Sequence, residues 1–245
     1  MRSYISVWIL TLLFTTPLIA SSVDVVFCVD TTDGMKGEIK TLKKKVKAIA
    51  QVANVRMGVV AYRDQGDEYR TKFLPLTDNI KIVRNYIKNL EATGGGELAD
   101  VRAGLAVAID KMRWKSGPRL IVLIGDAGPN RERKDNPSCS LLATKAKKKG
   151  ITILALACAE MDQDGTAIWK WVARITGGAF EQLPAAKGRR LIVQTDCSSS
   201  CASCTLPCAA AGGAQGGSTT EKKVKESTAK ALERAVTDQI RALIK

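Results

Sequence analysis

Four short runs of almost continuously apolar residues constrain the fold of this 245-residue chain more than any other feature. They cover residues 23–29, 55–61, 120–124 and 151–157. Strands that are buried on both faces have this pattern, and helices on the two sides of a parallel sheet bury both faces of its strands. The sequence therefore predicts an α/β domain with a parallel sheet at its centre.

Helical periodicity fills the intervals between these runs. Apolar residues recur every three or four positions through residues 39–53, 80–90 and 98–112. Two more helices are predicted at 138–149 and 166–176, where each segment ends before a glycine.

Two further strands complete the predicted sheet. Residues 70–76 are expected at a sheet edge, because Pro75 cannot donate a ladder hydrogen bond, and residues 179–183 are expected as the last strand. Residues 23–196 are therefore predicted to form a doubly wound, mostly parallel six-stranded sheet with helices on both faces. Ligands of such sheets bind outside the carboxyl ends of the strands.

The N-terminus has the pattern of an export signal. Arg2 is followed by apolar residues 4–18 and by the small residues 20–22, after which cleavage is expected. The apolar stretch is shorter than the ~20 residues that a spanning helix needs. Residues 1–22 are therefore interpreted as a signal peptide and the protein as secreted, periplasmic or surface-located, with membrane contact only through an uncleaved signal.

Composition excludes several classes of function. The chain has no histidine, which excludes Ser–His–Asp and Cys–His hydrolases and imidazole metal sites. Its net charge is +14, but the basic runs 43–45 and 147–149 contain no interleaved aromatic residue, so no nucleic-acid partner is expected. The basic runs 43–45 and 147–149 are interpreted as solvated helix faces. The excess charge would attract acidic partners at long range.

Polar residues occupy four loops that are expected at one sheet edge. Three of them follow predicted strands, at 30–35, 62–64 with Asp67, and 125–128, and the fourth, 93–97, precedes the helix predicted at 98–112. Carboxylate and hydroxyl oxygens without nitrogen or sulfur ligands suit Mg²⁺, Mn²⁺ or Ca²⁺. A site with one or two carboxylates, completed by hydroxyls and waters, suits Mg²⁺ best. Helix capping is the alternative for any one loop. Several such loops at one edge favour a shared metal site.

An ordered set of motifs resembles the von Willebrand factor type A (VWA) domain. It is closest to a branch with Asp-Thr-Thr-Gly-Ser-Met, Tyr-Arg-Asp, a triple glycine, Ile-Gly-Asp-Ala and Ala-x-x-Thr-Gly-Gly. The corresponding segments here begin at Asp30 and continue with 62–64, 94–96, 124–127 and 173–178. The resemblance covers nearly all of residues 23–183.

This resemblance implies a metal-ion-dependent adhesion site (MIDAS) and no catalysis. Asp30 and Thr32 match the first-loop ligands, Asp126 the third-loop aspartate acting through water, and Thr93 is nearest to the second-loop threonine. Gly34 stands in place of the residue that supplies the second hydroxyl, so metal binding is expected to be weaker unless Asp33 or water supplies the missing oxygen. The resemblance implies a protein partner whose acidic side chain completes the ion's shell, with a shift of the last helix.

Cysteines and a polar linker dominate the C-terminal part. Cys197, Cys201, Cys204 and Cys208 form a Cys-rich segment, 197–208, for which disulfides (one of them to Cys139), metal binding or neither stay open. Cys28 and Cys158 are predicted to be inert core residues. A flexible Gly/Ala-rich linker is predicted at 209–219.

An amphipathic helix is predicted over residues 220–245. Its apolar stripe can pack on its own domain, associate with a second copy or enter a partner's groove. These possibilities stay open.

Two other functions compete with the adhesion hypothesis. A Mg²⁺-dependent phosphohydrolase of haloacid-dehalogenase type needs a second aspartate two positions after the first, where this chain has Thr32. An assembly protein with a degenerate metal site would act through the C-terminal helix. The sequence favours the VWA-type binding module.

Overall fold

The computed structural model describes residues 22–94, 99–115, 117–129, 137–158, 161–184 and 217–244, with side chains from 228 onward in the last range. One six-stranded sheet has the order β3-β2-β1-β4-β5-β6. All neighbours pair in parallel except β2 and β3. The strands are β1 Val23–Asp30, β2 Val55–Tyr62, β3 Thr71–Thr77, β4 Arg119–Gly125, β5 Ile151–Ala157 and β6 Phe180–Gln182. This architecture confirms the predicted mostly parallel sheet, including the edge strand that contains Pro75.

Helices cover both faces of the sheet. They are α1 Lys36–Ile49, α2 Ile80–Lys88, α3 Val101–Asp110, α4 Cys139–Lys148, α5 Gln163–Ile175 and α6 Gly217–Leu243, and a short 3-10 turn, Asp33–Met35, precedes α1. Helices α1, α2 and α6 pack on one face, and α3, α4 and α5 on the other. All eight residues of β1 are buried, because successive side chains enter the two cores on opposite faces of the sheet. Phe27 packs in the core under α1, α2 and α6, and Cys28 packs in the core under α3, α4 and α5.

Local capping sets the helix boundaries. The side chains of Asp100 and Asp162 accept hydrogen bonds from the backbone N–H groups of Ala103 and Gly165. Helix α3 therefore begins at Val101, later than the predicted 98, and α5 begins at Gln163, earlier than the predicted 166. Apolar spacing had located the helices but not their first turns.

The C-terminal helix packs on its own domain. Leu232, Val236 and Ile240 are fully buried in the core that α1 lines. Lys45 on α1 forms an ion pair with Glu233 on α6, with 2.7 Å between Nζ and Oε2. In the described side chains of α6, the apolar stripe is thus largely buried within the chain as far as Ile240, and Ile244 beyond it is exposed.

The cysteines in the described ranges are free and buried. Burial raises the pKa of the Cys28 and Cys158 thiols far above the ordinary value, and that of Cys139 to about 11. Such thiols react poorly, which agrees with the predicted core role of Cys28 and Cys158. Cys139, the suggested partner of a cluster cysteine, is a free thiol here.

Several predicted segments lie outside the described residues. They are the signal peptide apart from its last residue, the Cys-rich segment 197–208 and most of the linker. Within the described part of the chain, no helix combines the length and the apolar character that crossing a bilayer requires.

Candidate metal site

The site lies at the carboxyl edge of the sheet, where the direction of strand crossover reverses. Strand β1 stands between β2 and β4, so the loops after β1 and β4 open away from each other and leave a crevice. Asp30 ends β1, and Asp126 directly follows β4. The two carboxylates therefore stand at the usual ligand position of a doubly wound fold.

Asp30 has one satisfied and one unsatisfied carboxylate oxygen. Its Oδ1 accepts hydrogen bonds from the backbone N–H and the hydroxyl of Thr32, both at 2.8 Å. Its Oδ2 is buried and has no hydrogen-bond partner among the described residues. Burial raises the pKa of Asp30 to about 7, and the nearby Asp126 carboxylate adds to this effect. A buried oxygen without a donor fits a bound cation.

Gly34 creates the space that the Asp126 carboxylate occupies. A Cβ atom at position 34 would overlap Asp126 Oδ2. The residue that removes the expected hydroxyl ligand therefore also allows a carboxylate oxygen to approach the first loop. Asp33 does not substitute for the hydroxyl, because its largely exposed carboxylate pairs with Lys36, 2.5 Å from Nζ to Oδ1.

Thr93 lies beside the first loop. The backbone N–H of Thr93 donates to the carbonyl of Thr31 at 3.2 Å, and the N–H of Asp33 donates to the carbonyl of Gly94 at 3.2 Å. The Thr93 side chain is exposed at this edge. Backbone pairing thus brings all four predicted ligands, Asp30, Thr32, Thr93 and Asp126, to one end of the sheet.

Arg63 holds these loops together, a role that the sequence did not reveal. Its side chain is 3% exposed, and it donates from Nε to the Thr31 carbonyl at 3.2 Å and from Nη2 to the Glu91 carbonyl at 2.8 Å. Its own carbonyl accepts from the N–H of Asp100, just before α3. The sequence shows only a Tyr62-Arg63-Asp64 motif directly after a strand, which does not indicate where the guanidinium points.

The acidic residues after β2 do not join the two carboxylates. Asp67 lies against Gly94, whose φ is +72°, and its Oδ2 accepts from the backbone N–H of Asp64 at 3.2 Å. Within the described ranges, no three Asp, Glu, Cys or His side chains gather in a metal-binding group. Any ion at this edge would therefore depend on two carboxylates with hydroxyl and water oxygens, a donor set that suits Mg²⁺.

Several solved structures are similar to the chain. The alignment with proximal thread matrix protein 1 from the mussel byssus has a TM-score of 0.56 and 15% identity, and covers 68% of this chain and 42% of that one. That mussel protein has also been solved with zinc in its MIDAS motif. The pilus adhesin SpaC from Lactobacillus rhamnosus GG aligns with a TM-score of 0.52 and 14% identity, over 65% of this chain and 27% of that one.

A von Willebrand factor type A protein from Catenulispora acidiphila aligns with a TM-score of 0.52 and 12% identity, over 87% of this chain and 43% of that one. This chain thus spans less than half the length of each of these proteins, and the likeness concerns the fold. Comparison with curated protein sequences gave no significant match. The family model of the von Willebrand factor type A domain matches residues 24–170, well over half of the chain. The chain therefore belongs to the VWA family.

Proposed function

We propose that this protein is a non-catalytic interaction module that binds a protein partner through a divalent cation. The observation that carries the proposal is Asp30 Oδ2, a buried carboxylate oxygen without a hydrogen bond, with Asp126 nearby. Asp30, Thr32, Thr93 and Asp126 would hold the ion, directly or through water. The ion would supply a positive charge that an acidic side chain of the partner can reach.

The donor chemistry supports Mg²⁺, with Mn²⁺ or Ca²⁺ as alternatives. Similar folds occur in a byssus matrix protein and a pilus adhesin, and the N-terminal pattern of this chain agrees with an exported location. The phosphohydrolase hypothesis has no comparable support, because Thr32 holds Asp30 Oδ1 at the position that would need an acidic group. The C-terminal helix supports the second alternative less, since Leu232, Val236 and Ile240 of its apolar stripe are buried in its own domain.

A metal titration of the full chain tests the proposal. Mg²⁺, Mn²⁺ and Ca²⁺ are added to metal-stripped protein, and binding is followed by calorimetry and thermal unfolding. We expect saturable binding that raises the unfolding midpoint and that Asp30→Ala abolishes. Asp110→Ala is the matched control. Asp110 lies at the C-terminal end of α3, where it pairs with Lys145 and Lys149 and not with the residues of the candidate site. Equal metal binding by the natural chain and Asp30→Ala would contradict the proposal.

A further inference from the structure

A basic groove runs between α1 and α2 beside the candidate metal site. It consists of two hollows of about 400 and 340 Å³ that share Lys43. Six cationic side chains line it, which are Lys36, Lys40, Lys43, Lys81, Arg84 and Lys88. Glu91 is the one acidic side chain that the structure places along this groove. We refer to it as the α1–α2 groove.

Most of this positive charge is not neutralised locally. Lys36 pairs with Asp33, and Lys43 Nζ donates to the Leu90 carbonyl at 2.7 Å. The other four cations of the groove form no ion pair with any residue in the described ranges. Helix α4 differs, because its Lys145 and the adjoining Lys149 both pair with Asp110. The groove therefore concentrates charge beyond what the overall excess of basic residues produces.

The spacing of the cations suits an extended peptide. The groove residues on each helix are three or four positions apart, which places neighbouring Cβ atoms about 5–6 Å from each other along one face. An extended chain projects alternate side chains to the same side at intervals of about 6.6 Å. Acidic residues at every second position would therefore meet successive turns of the helices.

The groove ends at the candidate metal site. Thr93 and Lys36 line the end of the groove that adjoins the first loop, where Asp33 contacts both the Gly94 carbonyl and Lys36. A chain with one carboxylate at the ion can therefore continue into the groove without turning away from the surface. Charge complementarity and position together define one kind of occupant.

We propose that the α1–α2 groove binds an extended acidic segment of the partner protein, continuous with the carboxylate that reaches the metal. This inference rests on the proposed function and names the partner's chemistry. A nucleic acid fits less well, because none of the described residues that line the groove is aromatic and could stack on a base.

The test uses the full chain and a fluorescent peptide of about ten residues with alternating Glu and Ser, long enough to fill the groove. A peptide with Gln in place of Glu is the neutral control. Dissociation constants are measured with Mg²⁺ and with EDTA. The variant Lys40→Glu/Arg84→Glu is compared with Lys147→Glu/Lys148→Glu on α4, which changes the net charge equally. All four residues are exposed, and thermal unfolding verifies that both variants fold.

We expect the groove variant to bind the acidic peptide at least about tenfold more weakly, while the α4 variant stays within about twofold of the natural chain. Added salt should weaken binding, because exposed charges are screened. Equal losses in the two variants would overturn the proposal, since they would show long-range attraction without a site. Stronger binding of single-stranded DNA or anionic vesicles, lost in the same groove variant, would also overturn it.

Asp30→Ala separates this inference from the proposed function. If peptide binding depends on the groove but neither EDTA nor Asp30→Ala changes it, the groove stands and the metal-dependent function fails. If Asp30→Ala and EDTA abolish binding while the groove variant equals its α4 control, the metal site stands and the groove proposal fails.

Discussion

Asp30 ends the central strand with one carboxylate oxygen that no described donor reaches. Its pKa is raised to about 7 from the ordinary value of 3.8, chiefly by burial. The folded, metal-free protein therefore holds this proton more tightly than the unfolded chain does. It follows that the stability of the metal-free protein decreases as the pH rises from about 4 through about 7.

Asp30→Asn should remove this pH dependence and the effect of metal together. The amide oxygen can still accept from Thr32, but the side chain carries no charge to desolvate. At pH 8 in EDTA we expect a higher unfolding midpoint than for the natural chain, and no further increase with Mg²⁺. Thermal unfolding at pH 5 and pH 8 measures both effects. Asp110→Asn should keep the Mg²⁺ response, and an equal Mg²⁺ response in Asp30→Asn would refute the assignment.

The Asp126 carboxylate occupies the space that a side chain at position 34 would need. A side chain at position 34 would displace the Asp126 carboxylate. Gly34→Ser should therefore replace the Asp126 oxygen by the serine hydroxyl as a metal ligand, and should not tighten Mg²⁺ binding. Asp126→Asn should weaken Mg²⁺ binding about tenfold in the natural chain and by less in the Gly34→Ser background. Calorimetry on the four proteins of this cycle measures the coupling.

Asp33→Asn is the control for that cycle, because the Asp33 carboxylate pairs with Lys36 at the surface. Its Mg²⁺ affinity should stay within about twofold of the natural value. A Gly34→Ser protein that binds Mg²⁺ much more tightly would show instead that the hydroxyl is the missing ligand.

Among the elements, the loops after β1 and β2 and the segment before α3 are joined through one guanidinium. Arg63 bonds two carbonyls from different loops, and its guanidinium lies 4.2 Å from the centroid of the Tyr69 ring. Lysine has a single terminal nitrogen and cannot reproduce this fork. The position of Thr93 beside Thr31 therefore depends on Arg63, although the Arg63 side chain donates its hydrogen bonds to residues other than the four candidate metal ligands.

Arg63→Lys should lower the free energy of unfolding by on the order of 2 kcal/mol, because buried carbonyls lose charged donors. Mg²⁺ affinity should fall as well, since the Thr93 loop is less firmly placed. Denaturant unfolding and calorimetry measure the two effects. Arg84→Lys, at an exposed position of α2, is the control and should change neither. Unchanged metal binding in a destabilised Arg63→Lys protein would limit Arg63 to a structural role.

On the scale of the whole molecule, α6 completes the core that α1 and α2 form. Besides its buried apolar residues, Thr228 Oγ1 donates to the Pro184 carbonyl at 2.9 Å, and Arg234 pairs with Glu181 of β6 at 2.8 Å. The C-terminal helix is thus attached to both α1 and the last strand. Its removal would expose a large part of one helical layer.

Leu232→Ala should lower the free energy of unfolding by roughly 2–4 kcal/mol, because a fully buried leucine leaves a cavity when truncated. Ile244→Ala, at a position that is 47% exposed, should cost less than about 0.5 kcal/mol. Denaturant unfolding compares the two variants, and sedimentation reports the oligomeric state. An unchanged stability of Leu232→Ala together with dissociation of an oligomer would show that α6 packs between molecules.

The sequence alone determined the sheet, its helical layers and the edge at which Asp30, Thr32, Thr93 and Asp126 lie. These features depend on residue periodicity and on the rule that parallel strands present their carboxyl ends together, and for Thr93 on the resemblance to the VWA domain. Only the tertiary structure decided that Asp126 occupies the space beside Gly34, that Arg63 joins two loops, that α6 packs on α1 and that the lysines of α1 face those of α2. Each of these depends on contacts between residues distant in the chain, which no local pattern encodes.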